Sequence, residues 1–79
     1  MKGGIMTIEL TPEEKIGIIN SHMKNVAYNK YNAEIALVEE NSKTIKDTVV
    51  IAKLNADITE AEAQIDALNA EIAKIAPSE

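Results

Sequence analysis

Residues 58–75 read ITEAEAQIDALNAEIAKI, and an apolar residue recurs at every third or fourth position of this stretch. The same alternation of three and four extends back to residue 51 without interruption. The complete row is Ile51, Leu54, Ile58, Ala61, Ile65, Leu68, Ile72 and Ile75. Such a row occupies positions a and d of a heptad repeat, which form the seam of a coiled coil. The spacing therefore predicts a helix over residues 48–76 that packs along one face.

A first helix is predicted over residues 11–41. Residues 11–14 read TPEE, which combines a hydroxyl N-cap, a proline at the first helical position and a glutamate three residues after the cap. The residues assigned to the seam of this helix are Ile16, Ile19, Met23, Val26, Tyr31 and Val38. Their spacing is less regular than that of the second helix. In strict heptad phase from Ile16, the later seam positions would instead be Lys30, Ala33, Leu37 and Glu40.

The two helices are predicted to fold into an antiparallel hairpin, so the fold class is all-α. Residues 41–44 read NSKT, a polar cluster that favours a turn, and we place the turn at residues 42–47. Either Thr44 or Asp47 can cap the helix that follows. Two helices of similar length joined by a short connection are typical of an antiparallel pair.

The distribution of charge agrees with the hairpin. Residues 15–33 contain no acidic residue, and residues 54–73 contain no basic residue. If the chain turns near Thr44, residues whose numbers sum to about 89 lie side by side, which brings the basic stretch beside the acidic one. In this arrangement the Lys30 stem can extend from the seam to the acidic residues of the second helix.

A chain of 79 residues buries little apolar surface by itself, and such small domains usually need disulfides, a metal or a partner. The chain has no cysteine and one histidine, so we expect no disulfide, no structural metal and no cofactor. We therefore expect self-association into a helical bundle, with a dimer favoured. The candidates for the second apolar surface are Ile18, Ile35, Leu37 and the alanines at positions 52, 56, 63, 67 and 70.

A different architecture also fits the second helix. Isoleucine at position a with leucine at position d favours parallel two-stranded coiled coils, so this helix could pair with its copy in a second chain. The first helix would then pack on the outside.

No constellation of residues points to catalysis, so we expect no enzymatic activity. His22 has no convincing orienting partner, and the acidic residues of the second helix lack the Glu-x-x-His pattern of carboxylate-bridged metal sites. Residues 22–32, HMKNVAYNKYN, contain residue types that bind single-stranded nucleic acid. A net charge of −5 and the absence of arginine make nucleic-acid binding an unfavourable interpretation.

The opening residues, MKGGIM, have neither a long apolar core nor a cleavage-type site of small residues, so we expect no export signal. Residues 1–10 are predicted to be a flexible segment, in which MKGG is interpreted as a leader and Met6 as the natural first residue. Residues 77–79 form a predicted tail. Because no apolar run is long enough to cross a bilayer, we expect no membrane association and a cytoplasmic protein.

Residues 11–42, TPEEKIGIINSHMKNVAYNKYNAEIALVEENS, resemble the opening of small uncharacterised proteins of marine T4-like bacteriophages, in which a coiled-coil segment follows. The resemblance implies a viral origin, in a virion or in the host cytoplasm, and it brings no known active site. The sequence thus favours a non-enzymatic structural or protein-interaction module that associates with itself. The alternative is a small acidic effector that binds a specific host protein and modulates it.

Overall fold

The computed structural model describes residues 8–75. Two α-helices, α1 (Pro12–Asn41) and α2 (Thr48–Ile75), contact each other along their lengths and are joined by residues 42–47. Within residues 8–75 there is no strand. The predicted all-α helical hairpin is thus confirmed. The predictions for residues 1–7, for the end of the second helix at residue 76 and for the tail at residues 77–79 lie outside the described residues.

Helix α1 begins at a complete capping box. The Glu14 amide donates to Thr11 Oγ1 over 3.1 Å, and the Thr11 amide donates to Glu14 Oε1 over 2.8 Å. These reciprocal bonds satisfy two of the amide groups that the first turn leaves without a carbonyl partner. Pro12 follows the cap and has no amide hydrogen of its own to satisfy. The start of the helix is therefore encoded locally by the sequence TPEE.

Helix α1 ends and α2 begins within seven residues, because side chains on both sides of the turn bind backbone groups. The Ser42 hydroxyl donates to the Glu39 carbonyl oxygen over 2.7 Å, and the Ser42 amide donates to the carbonyl oxygens of Val38 and Glu39 over 3.1 and 3.2 Å. Asp47, rather than Thr44, caps α2: its Oδ1 accepts from the amides of Val49 and Val50 over 3.0 and 3.3 Å. An aspartate at this position also places negative charge at the positive end of the helix dipole.

One ion pair between the helices reports the register of the hairpin. Lys30 Nζ lies 3.7 Å from Glu62 Oε2, which places residues 30 and 62 beside each other. This pairing is within about one helical turn of the register predicted from the charge pattern. The basic stretch of α1 consequently faces the acidic stretch of α2.

The hairpin is a single layer of two helices without a closed core. Among the described residues, only Ala61 and Glu40 are buried, each with 7% of its surface exposed. No large side chain of residues 8–75 is fully buried. Two helices meet along one line, so each seam side chain keeps one side open to solvent. What the fold presents to other molecules is therefore a half-buried seam and two outer helix faces.

Candidate interaction surface

The seam of α2 coincides with its a and d positions. Ile51, Leu54, Ile58, Ile65, Leu68, Ile72 and Ile75 are half-buried, and Ala61 is buried. Every other residue of α2 is exposed. The alternation of three and four residues thus corresponds, position by position, to the face that α2 turns towards α1.

The seam of α1 changes character along the helix. In the half remote from the turn it is apolar, with Ile16, Ile19, Met23 and Val26 half-buried. Nearer the turn the same heptad phase continues through residues that are not all apolar. These residues are Lys30, Ala33, Leu37 and Glu40, of which the first three are half-buried and the last is buried.

The predicted assignment of Tyr31 and Val38 to the seam of α1 is wrong. Tyr31 and Val38 are 62% and 63% exposed, so they do not pack against α2. The interval from Val26 to Tyr31 is five residues, one more than the heptad step, and one residue rotates a position by about 100° around the helix. Val38 follows Tyr31 by seven residues and is displaced by the same angle. Leu37, predicted for a second surface, lies in the seam instead.

The displaced apolar residues form a row of their own, which we call the outer stripe: Tyr28, Tyr31, Ile35 and Val38. Successive members are separated by three, four and three residues, so all four lie on one side of α1. At about 100° per residue, this side is roughly 150° away from the seam. Tyr28 is 71% exposed and Ile35 is 39% exposed, in keeping with a face that α2 does not cover.

The other candidates for a second surface are also exposed. Ile18 is exposed on α1, and the alanines at positions 52, 56, 63, 67 and 70 are exposed on α2. The alanines at 56, 63 and 70 occupy position f, directly opposite the seam. They present methyl groups only, so the large exposed apolar side chains of the described helices are concentrated on α1 and near the turn.

Lys30 occupies a seam position without leaving its charge unpaired. Its Nζ lies 3.2 Å from Glu34 Oε2 and 3.7 Å from Glu62 Oε2. The hydrogen bond and charge of Glu34 chiefly raise the pKa of the Lys30 ammonium, with Glu62 contributing less. The aliphatic stem can thus lie along the seam while the charged end reaches the acidic groups at its edge.

Glu40 is a structural residue that the sequence analysis did not single out as such. Its Oε2 accepts the Asp47 amide over 2.8 Å, and its Oε1 lies 2.9 Å from Lys43 Nζ. Hydrogen bonding from Lys43, followed by the Asp47 amide, lowers the pKa of the Glu40 carboxyl. Glu40 therefore joins the last turn of α1 to the residue that caps α2. The available signal was a carboxylate at a seam position only two residues before the predicted turn.

A groove of about 290 Å³ opens beside the seam at mid-length. Its floor includes two small seam residues, Ala33 and Ala61, and its polar rim includes Asn29, Asp57 and Gln64. The small side chains explain the opening, because alanine fills less of the space between the helices than leucine or isoleucine. Within residues 8–75, no three histidine or acidic side chains are arranged so that they could hold a metal ion. His22 is exposed on α1.

The described helices also lack a membrane-spanning candidate: neither combines the length and the apolar character that crossing a bilayer requires. Comparison with known proteins gave no match to a family model, to a curated protein or to a solved structure. The interaction surface is therefore interpreted from its own residues.

Proposed function

We propose that this chain is a non-enzymatic structural or protein-interaction module that works by associating with further copies of itself. The observation that carries the proposal is the lack of a closed core: the seam side chains stay half-buried while Tyr28, Tyr31 and Val38 remain largely exposed. Contiguous exposed apolar side chains on a small protein mark interaction sites. A second chain would remove this surface from water and supply stability that the hairpin lacks.

The resemblance of residues 11–42 to small coiled-coil proteins of bacteriophages supports a viral setting for this role. In that setting the module would connect protein subunits in a virion or in the host cytoplasm. Its helices have two outer faces of different character: α1 exposes large apolar side chains, and α2 exposes a row of alanines. Such a module can hold its own copies together through one face and leave the other for a further component.

The test is the solution mass of the purified protein over a dilution series, measured by light scattering after size exclusion. Self-association predicts a mass above that of the 8.6 kDa monomer at high concentration, together with high helicity by circular dichroism. A protein that stays monomeric at every concentration, up to about 1 mM, contradicts the proposal. A dissociation constant of about 1 mM corresponds to only about 4.1 kcal/mol, so even a weak interface would be detected at this concentration.

A second candidate function is an acidic effector that binds one host protein. The observation in its favour is the acidic outer surface of α2, where Glu60 and Asp66 are exposed and residues 54–73 contain no basic side chain. Such a surface attracts basic partners and accelerates their association at low salt. A poorly helical monomer in the dilution series, which gains helicity only on binding a host protein, would favour this function.

A further inference from the structure

The outer stripe is a short, well-defined apolar face. Its four residues lie at positions f and b of the heptad that places Ile16 and Ile19 in the seam. The corresponding positions earlier in α1 are Gly17, Ser21 and Lys24. The apolar face is therefore confined to residues 28–38 and does not run the length of the helix.

We propose that the outer stripe docks onto the outer stripe of a second copy, with the two α1 helices antiparallel. This inference rests on the self-association proposed above and names the surface that performs it. A two-fold axis near residue 33 would place Tyr28 against Val38 of the second copy, and Tyr31 against Ile35 of the second copy. Each aromatic ring then faces a branched aliphatic side chain, and the same patch serves both chains, as a closed dimer requires.

Charges at the two ends of the outer stripe favour a second copy of the chain as the partner, with its α1 helix antiparallel. Lys24 lies one turn before Tyr28, and Glu39 directly follows Val38. Among residues 8–75, neither Lys24 nor Glu39 takes part in an ion pair within the chain. In the antiparallel dimer, Lys24 lies within about one turn of Glu39 of the second copy, at both ends of the contact. A parallel dimer would instead place like charges together, which opposes association.

The faces beside the seam are less suited to a second copy. On one side, α2 presents Asn55, Glu62 and Asn69, and on the other it presents Asp57 and Gln64. Packing two hairpins face to face would bury these polar groups, which lose their water unless each finds a partner. The geometry therefore points to hairpins joined edge to edge through α1, with both α2 helices on the outside.

The size of the outer stripe sets the strength of the dimer. An aromatic side chain buries about 150–250 Å² in full, and the stripe has two such residues beside two smaller ones. The contact is thus well below the roughly 800 Å² per partner of a standard interface. We expect a dimer that dissociates on dilution, not one that persists at all concentrations.

The experiment is sedimentation equilibrium of the full chain between about 10 μM and 1 mM, a range that covers the weak association expected of a contact smaller than standard. The variant Tyr31→Lys should be monomeric, or should dimerise at least tenfold more weakly, because it places a charge in the middle of the contact. The matched control is Ala63→Lys, which adds the same charge to the outer face of α2 and should dimerise like the parent. At the lowest concentration, where the parent is itself mostly monomeric, circular dichroism should show both variants as helical as the parent, since both positions are exposed.

A charge exchange tests the antiparallel direction. Lys24→Glu and Glu39→Lys should each weaken the dimer severalfold, and the double variant should recover the affinity of the parent. A double variant weaker than either single variant would overturn the antiparallel pairing.

The failures are distinguishable. If the Tyr31→Lys variant dimerises as strongly as the parent, this inference is overturned and the self-association proposal stands. A parent that is monomeric throughout overturns both.

Discussion

The two halves of the hairpin differ in where α1 keeps its apolar side chains. In the half remote from the turn, α1 places Ile16, Ile19, Met23 and Val26 in the seam. In the half near the turn, the seam includes Lys30 and Glu40 beside Leu37, and the other large apolar side chains of α1 lie on the outer stripe. Helix α2 keeps the same apolar row throughout. The unbroken apolar row of α2 therefore covers one continuous face of α1, even where that face carries charged residues.

The halves should also differ in what stabilises them. The remote half depends on apolar burial between the helices, whereas the half near the turn depends on the hydrogen bonds that join Glu40, Asp47 and the first turn of α2. Substitutions in the two halves should therefore change stability by different amounts.

Leu68→Asp should have the largest effect, because it acts on the remote half. The change removes a half-buried side chain from the seam and adds a charge with no partner, which together destabilise by at least about 3 kcal/mol. For a chain with no closed core, this is enough to abolish most of the helical circular dichroism signal at 25 °C. The control Ala70→Asp adds the same charge at an exposed position and should stay helical. Equal helicity of the two variants would contradict the seam assignment of α2.

Glu40→Ala should have the next largest effect, because it acts on the turn. The substitution leaves the Asp47 amide without its acceptor and Lys43 without its nearest carboxylate. We expect the melting temperature to fall by about 4–8 °C, the shift typical of losing one capping interaction in a domain of this size. Glu60→Ala, which removes an exposed carboxylate from α2, is the control and should change little. A melting temperature unchanged by Glu40→Ala would show that the turn does not depend on this carboxylate.

Lys30→Leu should produce a smaller change in the opposite direction. It gives the half near the turn an apolar seam residue like those of the remote half, and it removes two partly exposed ion pairs that contribute little. We expect a rise in melting temperature of up to about 4 °C. Lys53→Leu, at an exposed position of α2, should give no such rise. A Lys30→Leu variant that melts below the parent would mean that the ion pairs outweigh apolar burial there.

The smallest effect should be a pH dependence that arises at Glu40. Because its pKa in the folded chain is below the ordinary value of 4.5, its stabilising contribution is complete above that value. The contribution is then lost as the pH falls through the lower pKa of the folded state. Glu40→Gln should therefore lose less stability than the parent between pH 5 and about pH 3 in urea titrations. Parallel losses in the two proteins would assign the acid sensitivity to other carboxyl groups.

Most of the fold could be predicted because its determinants are local or periodic. The capping box is encoded in residues 11–14, and the seam of α2 follows from an unbroken alternation of three and four residues. Near the turn, apolar character alone places Tyr31 and Val38 in the seam of α1, whereas Lys30 occupies the position that faces α2. The strict heptad phase continued from Ile16 identifies the residues that face α2, although two of them are charged.

The role of Glu40 and the outer stripe were harder to predict for a different reason. Glu40 acts on Asp47, seven residues away, and their contact exists only once the turn has formed. The outer stripe becomes recognisable as a separate face only after the seam residues are removed from the list of apolar residues. Both features depend on the packing of α1 against α2, which is a consequence of the fold and not of any one segment.

The most direct test of the central claim, that α1 folds back on α2, is one distance measured by dipolar electron paramagnetic resonance. The chain has no cysteine, so Ser21→Cys and Ala70→Cys allow spin labels at two exposed positions. The labelled protein is mixed with excess unlabelled protein, so that only the distance within one chain is observed. Helices packed at about 8–10 Å between axes predict about 20–30 Å between the labels. A distance above about 60 Å, as in one continuous helix of this length, would contradict the hairpin.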